Sequence, residues 1–367
     1  MQLTHHDNRP YDEAATTARA NTRAKFEARI EKGRAEGAAI IEKILSTNVN
    51  DKIVDSRAMT FEMNETGLLM KVLDETQERL HTNAFGQFCE RQDVPIGYLK
   101  KLMSEGPEGK ELALKNMNGV VQLRPRRVLL RSVENEIRGY LSDHYRRLDG
   151  RPMFEEFALA CQKIGALPVG GFSTDLRYSL RAVWPEVYEI EGDPILVGLE
   201  ARNSDFGVGY QEVRAFFERV WCTNLAIRES VMKQVHLGGK LPSDIRFSQK
   251  TYDYDTKCSA SAVSDIVTRY LNPDAVKREV AAALAAAETP VGPKEARALL
   301  AKRLSEGEAQ NALGEFAANP YVEQLPAGPT LWRLSNAVSW VSQKAEPERR
   351  IELQEVAGWL LAQTKAA

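Results

Sequence analysis

The densest potential chemistry in the chain lies between Arg124 and Arg151. Eight arginines (Arg124, Arg126, Arg127, Arg131, Arg138, Arg146, Arg147 and Arg151) stand there against four acids, Glu134, Glu136, Asp143 and Asp149. Guanidinium groups pair with phosphate oxygens, and an aromatic ring beside them can stack on a base, so such a cluster points to single-stranded nucleic acid. Arg127, Arg131, Arg138 and Tyr140 alternate with Val128, Leu130, Ile137, Gly139 and Leu141. That is the period at which a pleated strand sends successive side chains to opposite faces. The expected interface is therefore Arg127, Arg131, Arg138 and Tyr140 on one face of a hairpin, with Arg146 and Arg147 extending the path. Later segments add Arg177, Tyr178, Arg181, Trp184, Arg202, Tyr210 and Arg214.

A competing chemistry needs acids and bases that meet only in the fold. Asp143-His144 with Asp149 is the local candidate, because a carboxylate beside an imidazole sets its tautomer and raises its basicity. Asn203, Asp205 and Asn224 would have to converge on it. A polar turn leading into a helix gives the same residues, and the turn is the stronger reading of the segment from Ser142 to Asp149.

Other chemistries are excluded by spacing. Leu237-Gly238-Gly239-Lys240 is followed by Leu241 and lacks the earlier glycine of a phosphate-binding loop. Phe206-Gly207-Val208-Gly209-Tyr210 lacks the third glycine of a dinucleotide site. Of His5, His6, His81, His144 and His236, none but the N-terminal His5 and His6 has a partner at metal-ligand spacing, and Cys89, Cys161, Cys222 and Cys258 lie far apart. No metal or other cofactor is implied, and no catalytic residue is assigned.

The elements that must position these residues change character along the chain. The first fifty residues read as a polar arm and a helix. Met59–Met63 and Leu68–Leu73 flank a turn and form one expected hairpin. The stretch from Thr82 is helical on both sides of Val94-Pro95. Val128–Val133 and Ile137–Ser142 around Glu134-Asn135-Glu136 form the clearest hairpin, and a helix follows from Pro152 to Gly165. Strands are expected at Leu176–Trp184, Pro194–Ser204 and from Val208 to Asn224. Beyond Tyr254 the pattern is helical: Asn272-Pro273 opens an Ala-rich helix, Ser305-Glu306-Gly307-Glu308 has the form of a capping box, and Trp332, Asn336 and Trp340 share a helix face. This order predicts an α+β fold, an antiparallel sheet crossed by a helix and followed by a helical C-terminal region. The expected divisions are an arm and helix over 1–54, an α+β core over 55–250 and helices over 251–367.

At 367 residues, with 43% hydrophobic and 27% charged residues, the chain can bury a large core and has neither a disordered nor a disulfide-scaffold composition. Forty-nine Lys and Arg against fifty-one Asp and Glu give a net charge of −2, so attraction to a polyanion has to come from local clustering. No apolar run approaches the roughly 20 residues of a membrane span, no membrane partner is implied, and the cytoplasm is the expected compartment.

Four segments carry a family resemblance: QFCERQDVPIGYLKKL, VLLRSVENEIRGYLSDHYRRLD, EARNSDFGVGYQEVRAFFERVWCTNLAI and TLWRLSNAVSWV. Across roughly residues 80–345 the chain resembles the phage- and plasmid-associated family called domain of unknown function 932. The most specific pieces are Ser142 to Asp149, Asn203-Ser204-Asp205, Cys222-Thr223-Asn224 and Trp332 with Asn336-Ala337-Val338-Ser339. It departs at Val235-His236-Leu237-Gly238, where the family often has an Arg-His-Thr-Gly-like stretch. The resemblance implies a mobile-element setting, an α+β core and an intracellular location, but no reaction. In that setting the expected function is single-stranded DNA binding or annealing in recombination or replication. The alternatives are a nucleic-acid or nucleotide-processing enzyme and an oligomeric structural or host-interaction protein, possible as a homo-oligomer through the Trp332–Trp340 helix.

Overall fold

The computed structural model describes residues 21–65, 67–73, 77–220, 225–234, 247–318, 326 and 328–364. Among them are two six-stranded sheets and eleven helices, an α+β fold as the sequence predicts. The expected single sheet is in fact two.

The first sheet has the order β1-β5-β6-β4-β3-β2, with β1 at Val49–Asp55, β2 at Met59–Asn64, β3 at Gly67–Val72, β4 at Glu78–Leu80, β5 at Arg127–Val133 and β6 at Glu136–Ser142. All of its pairings are antiparallel except the short parallel contact of β4 with β6. The predicted hairpins β2–β3 and β5–β6 are present, each with apolar residues facing helices α2 (Thr82–Arg91), α3 (Ile96–Ser104) and α4 (Gly106–Leu123). Phe61, Phe88, Met117, Leu130 and Tyr140 are among the buried residues of that layer. Strand β1 and helix α4 were not legible from alternation: β1 reads VNDKIVD, with acids in the pattern, and α4 carries its buried stripe on small and medium residues such as Gly109, Ala113 and Met117. Because β1 is hydrogen-bonded to β5 along its length, the expected boundary between residues 54 and 55 falls inside a strand of the core.

The second sheet has the order β12-β11-β10-β8-β7, with β9 (Tyr188–Ile190) paired to β10. Its strands are β7 at Leu167–Ser173, β8 at Tyr178–Val183, β10 at Asp193–Asn203, β11 at Gln211–Arg219 and β12 at Leu225–Gln234. One face takes the main core. Helices α5 (Gly150–Lys163), α6 (Gln249–Tyr270), α7 (Pro273–Glu288), α8 (Pro293–Leu300), α9 (Glu306–Ala317) and α10 (Leu331–Ser342) pack over Val197, Leu199, Val213, Ala215 and Phe217. Asn272 accepts from the Asp274 and Ala275 amides at the start of α7, and Ser305 with Glu308 forms the predicted capping box of α9. The described residues after Asn272 contain no strand longer than the isolated Pro290–Thr330 bridge.

Helices seal both edges of this sheet, and a glycine makes the approach possible in each case. On the β7 side lies α1 (Thr22–Ser46), where a Cβ on Gly33 would come to 2.4 Å from Val169 Cα. On the β12 side lies α11 (Pro347–Leu361), where a Cβ on Gly358 would come to 1.7 Å from the Ile227 carbonyl oxygen. Covered edges cannot template pairing with another chain.

Trp332 and Asn336 are buried, as predicted, and Trp340 is partly buried. The Trp332 indole donates to Asp193 (3.0 Å), which also binds Arg219, and it meets the Phe217 ring edge-on. Asn336 donates to the Trp332 carbonyl (2.9 Å), while Ser339 exchanges hydrogen bonds with both backbone groups of Leu225. The Trp332–Ser339 motif thus anchors α10 inside its own chain, which removes Trp332 as a subunit contact.

Candidate nucleic-acid interface

The β5–β6 hairpin does not present the expected face. Tyr140 lies opposite Leu130 and points into the helical layer, fully buried. Its hydroxyl accepts from Gln92 (3.0 Å), and burial pushes its pKa up to about 12. Arg131, opposite Gly139, points the other way. It is 1% exposed and donates to Asp51 (2.8 Å), Asp149 and the Asp205 carbonyl oxygen (2.8 Å). Arg147 is also buried, bonded to Asp51 and placed over the Tyr252 ring at 4.3 Å. Arg138 donates to Glu136 (2.9 Å) and to the Asp175 carbonyl, and Arg146 forms a two-pronged contact with Asp255. Arg127 alone of the six is exposed, 4.0 Å from Asp143. The predicted stacking and phosphate-binding face is therefore corrected: Arg131, Arg138, Arg146 and Arg147 are spent on Asp51, Asp149, Glu136 and Asp255, only Arg127 stands exposed, and the tyrosine is core.

The competing catalytic constellation meets only in part. Asp205, buried, accepts from the Gly150 amide (2.7 Å) at the start of α5 and from Asn203 (3.1 Å), while Asn203 also donates to the Leu148 carbonyl. Burial raises the Asp205 pKa, Arg131 opposes this, and Asp149 and Asp51 add to it. Asp143 and His144 stand together, 3.7 Å apart, with Arg127 4.0 Å from Asp143. Asn224, with Cys222, Thr223 and the 235–238 stretch, lies outside the described residues. The Asp149, Asn203 and Asp205 group is a hydrogen-bonded junction between β5, the turn before α5 and the end of β10, closed over Arg131.

The open basic surface is elsewhere. Along β11 the side chains alternate: Val213, Ala215 and Phe217 enter the main core, and Glu212, Arg214, Phe216 and Glu218 take the opposite face. Register places Arg202 beside Glu212 and Glu200 beside Arg214 on that same face. A ladder of ion pairs crosses it. Glu200 accepts from Ser179 (2.6 Å), Arg181 (2.9 Å) and Arg214 (2.7 Å), and Arg214 also meets Glu355 of α11.

Where α11 runs over this ladder, a groove of about 450 Å³ is lined by six cations (Arg177, Arg202, Arg214, Arg228, Lys233 and Arg303) and three acids (Glu212, Glu352 and Glu355). Tyr210 and Trp359 line it too. Lys233 Nζ sits 3.7 Å above the Tyr210 ring centre and Arg303 4.6 Å from that of Trp359. Both cations are exposed, and Tyr210 keeps 43% of its surface. Burial lowers the pKa of Arg202, with Arg214 adding to the effect, and burial followed by Arg202 does the same to Arg177. Arg214 is spent on Glu200 and Glu355, and Arg228 lies 3.4 Å from Glu279, so the exposed positive charge of the groove is that of Lys233 and Arg303.

Sequence reading named Arg177, Arg202, Tyr210 and Arg214 but not their partners Arg228, Lys233, Arg303 and Trp359. Those come from β12, the turn after α8 and α11, and no local pattern links segments so far apart. On α11, Glu352, Glu355 and Trp359 have the three- and four-residue spacing of one helix face, the single signal that could have joined them. No protein-family model matches the chain, and no curated protein and no solved structure compared with it matches either.

Proposed function

We propose that this chain binds single-stranded nucleic acid through the groove beneath α11, as a phage- or plasmid-type DNA-binding protein of recombination or replication. One observation carries the reading: two exposed cations, Lys233 and Arg303, stand over the Tyr210 and Trp359 rings along an open groove. Cations attract the backbone by counterion release and serve any sequence, while Tyr210 and Trp359 supply stacking surfaces. With a net charge of −2 over the whole chain, attraction of this kind has to come from local clustering of cations. The resemblance over residues 80–345 supports the mobile-element setting. The enzyme alternative has less support, because Asp205 is held by the Gly150 amide and Asn203, and Asp149 by Arg131, which commits these groups to the junction.

The test is fluorescence anisotropy with a labelled oligothymidylate at low and moderate salt. Lys233→Glu with Arg303→Glu, two exposed positions, should leave melting within a degree or two and weaken binding at least tenfold. The slope of log affinity on log salt should fall by roughly one unit per lost phosphate contact. A wild type that does not bind at low salt, or an unchanged affinity in the folded double variant, overturns the reading.

A further inference from the structure

Two arginines of the groove, Arg202 of β10 and Arg214 of β11, are far less open than Lys233 and Arg303: their side chains keep 13% and 3% of their surface. The acids that reach them are held in different ways. Glu200 is 1% exposed, takes Arg214 at 2.7 Å and accepts from Ser179 and Arg181 as well, so it is fixed in the sheet. Glu355 arrives from the overlying α11. It contacts Arg214 Nη1 and lies 3.5 Å from Arg202 Nη1, yet its side chain keeps 45% of its surface. For Arg202 this long contact is the one ion pair among the described residues, although a guanidinium carries donors for several acceptors.

Helix α11 does not need Glu355 to stay in place. It buries Ile351, Leu353, Val356, Ala357 and Leu360, and Gly358 closes on the Ile227 carbonyl of β12. A carboxylate that is half solvated and not required for packing can swing into water at little cost, because ion pairs open to solvent are weak. The same move is closed to Glu200, which would leave its arginines buried and unpaired.

We infer that Glu355 is an internal competitor for the strand: its carboxylate occupies the phosphate position of an Arg202–Arg214 subsite, and a backbone phosphate binds there by displacing it. This rests on the reading of the groove as a single-strand site and deepens it. Lys233 and Arg303 meet the strand first, and Arg202 with Arg214 engages a phosphate only by exchange. One anion replaces another, so the arginines are not left without a partner at any stage. Because the competing acid is tethered, it is present at high effective concentration and screens the subsite from weakly bound anions.

The test compares two acids of α11 in the oligothymidylate anisotropy assay on the full chain. Glu352 also lines the groove, but it pairs with Arg349 and is 59% exposed, so Glu352→Gln makes the same change of charge without opening the subsite. Glu355→Gln should bind about tenfold more tightly than the wild type, and its slope of log affinity on log salt should steepen by roughly 0.7 unit for the added phosphate contact. Glu352→Gln should gain less than about twofold, as expected of an exposed charge screened by salt. In an Arg202→Gln background the gain from Glu355→Gln should shrink to that of Glu352→Gln, since the two residues then no longer share a subsite. Melting curves establish that each variant is folded. Equal gains from the two acids would reduce Glu355 to one charge among several and overturn the inference. A Glu355→Gln variant that melts lower and binds no more tightly would make Glu355 a clamp for α11 and overturn it too. In both cases the groove itself stands. If neither the wild type nor Glu355→Gln binds, the reading of the groove fails as well.

Discussion

Arg131 and Lys233 are both cations on β-strands, and the fold gives them opposite surroundings. Arg131 sits on β5 in the most arginine-dense stretch of the chain, yet it is 1% exposed and spends its guanidinium on Asp51, Asp149 and a backbone carbonyl. Lys233 belongs to β12, in a stretch with no marked excess of charge, yet it stands exposed over the Tyr210 ring at the mouth of a groove. Local density of one charge is thus a poor guide to free charge. What matters is how many opposite charges the tertiary structure brings within reach. Desolvation makes an unpaired buried guanidinium too costly to keep, so a buried arginine collects carboxylates, and only a surface one can remain available to a ligand.

The two regions should answer mutation in opposite currencies, stability for the hairpin and binding for the groove. The largest effect is expected at Arg131. Arg131→Met leaves Asp51 and Asp149 without their shared partner at the junction, and removing one member of a buried charged network costs on the order of 3–5 kcal/mol. Denaturant or thermal unfolding would measure it. A variant as stable as the wild type would mean that the network is incidental and would reopen the hairpin as a free surface.

Tyr210→Ala should do the reverse. Its ring is 43% exposed, so stability should stay within about 0.5 kcal/mol. If it stacks on a base, oligothymidylate affinity should fall by about 1–3 kcal/mol, roughly five- to 150-fold. Unfolding in place of lost binding would erase the contrast between the regions.

The smallest effect expected is a pH dependence. The folded-state pKa of Asp205 is raised by burial and by Asp149, so its contribution to stability is fully present below its unfolded value, near about 4, and is lost as pH rises through the folded value. Asp205→Asn cannot titrate. The stability of the wild type relative to this variant should therefore decline from about pH 4 upward, by on the order of 1 kcal/mol, in paired melting curves. A difference that grows with pH would show that Arg131 outweighs burial at this carboxylate.

Patterning alone determined the α+β class, the β2–β3 and β5–β6 hairpins, the caps of α7 and α9 and the burial of Trp332 and Asn336. Each is written in residues close enough along the chain to share a turn, a strand or a helix face: Asn272 two and three residues from the amides it caps, Asn336 four from the carbonyl it binds. The strand β1 and the division into two sheets were decided by pairing over distance, whereas β7 and β9 pair with the strands that follow them. β1, for instance, is held by β5 some eighty residues later, despite acids in its own pattern. Of the groove, Arg177, Arg202, Tyr210 and Arg214 were legible only as basic and aromatic residues that later strands add to the hairpin's own. Their separation from Arg131 and Tyr140 was decided only when the chain folded, because Asp51, Asp149 and Asp205 meet Arg131 there and α11 arrives to frame the groove. Charge neutralisation and burial act over a few ångströms in space and take no account of separation in sequence, so the choice of which arginines stay free is a tertiary property.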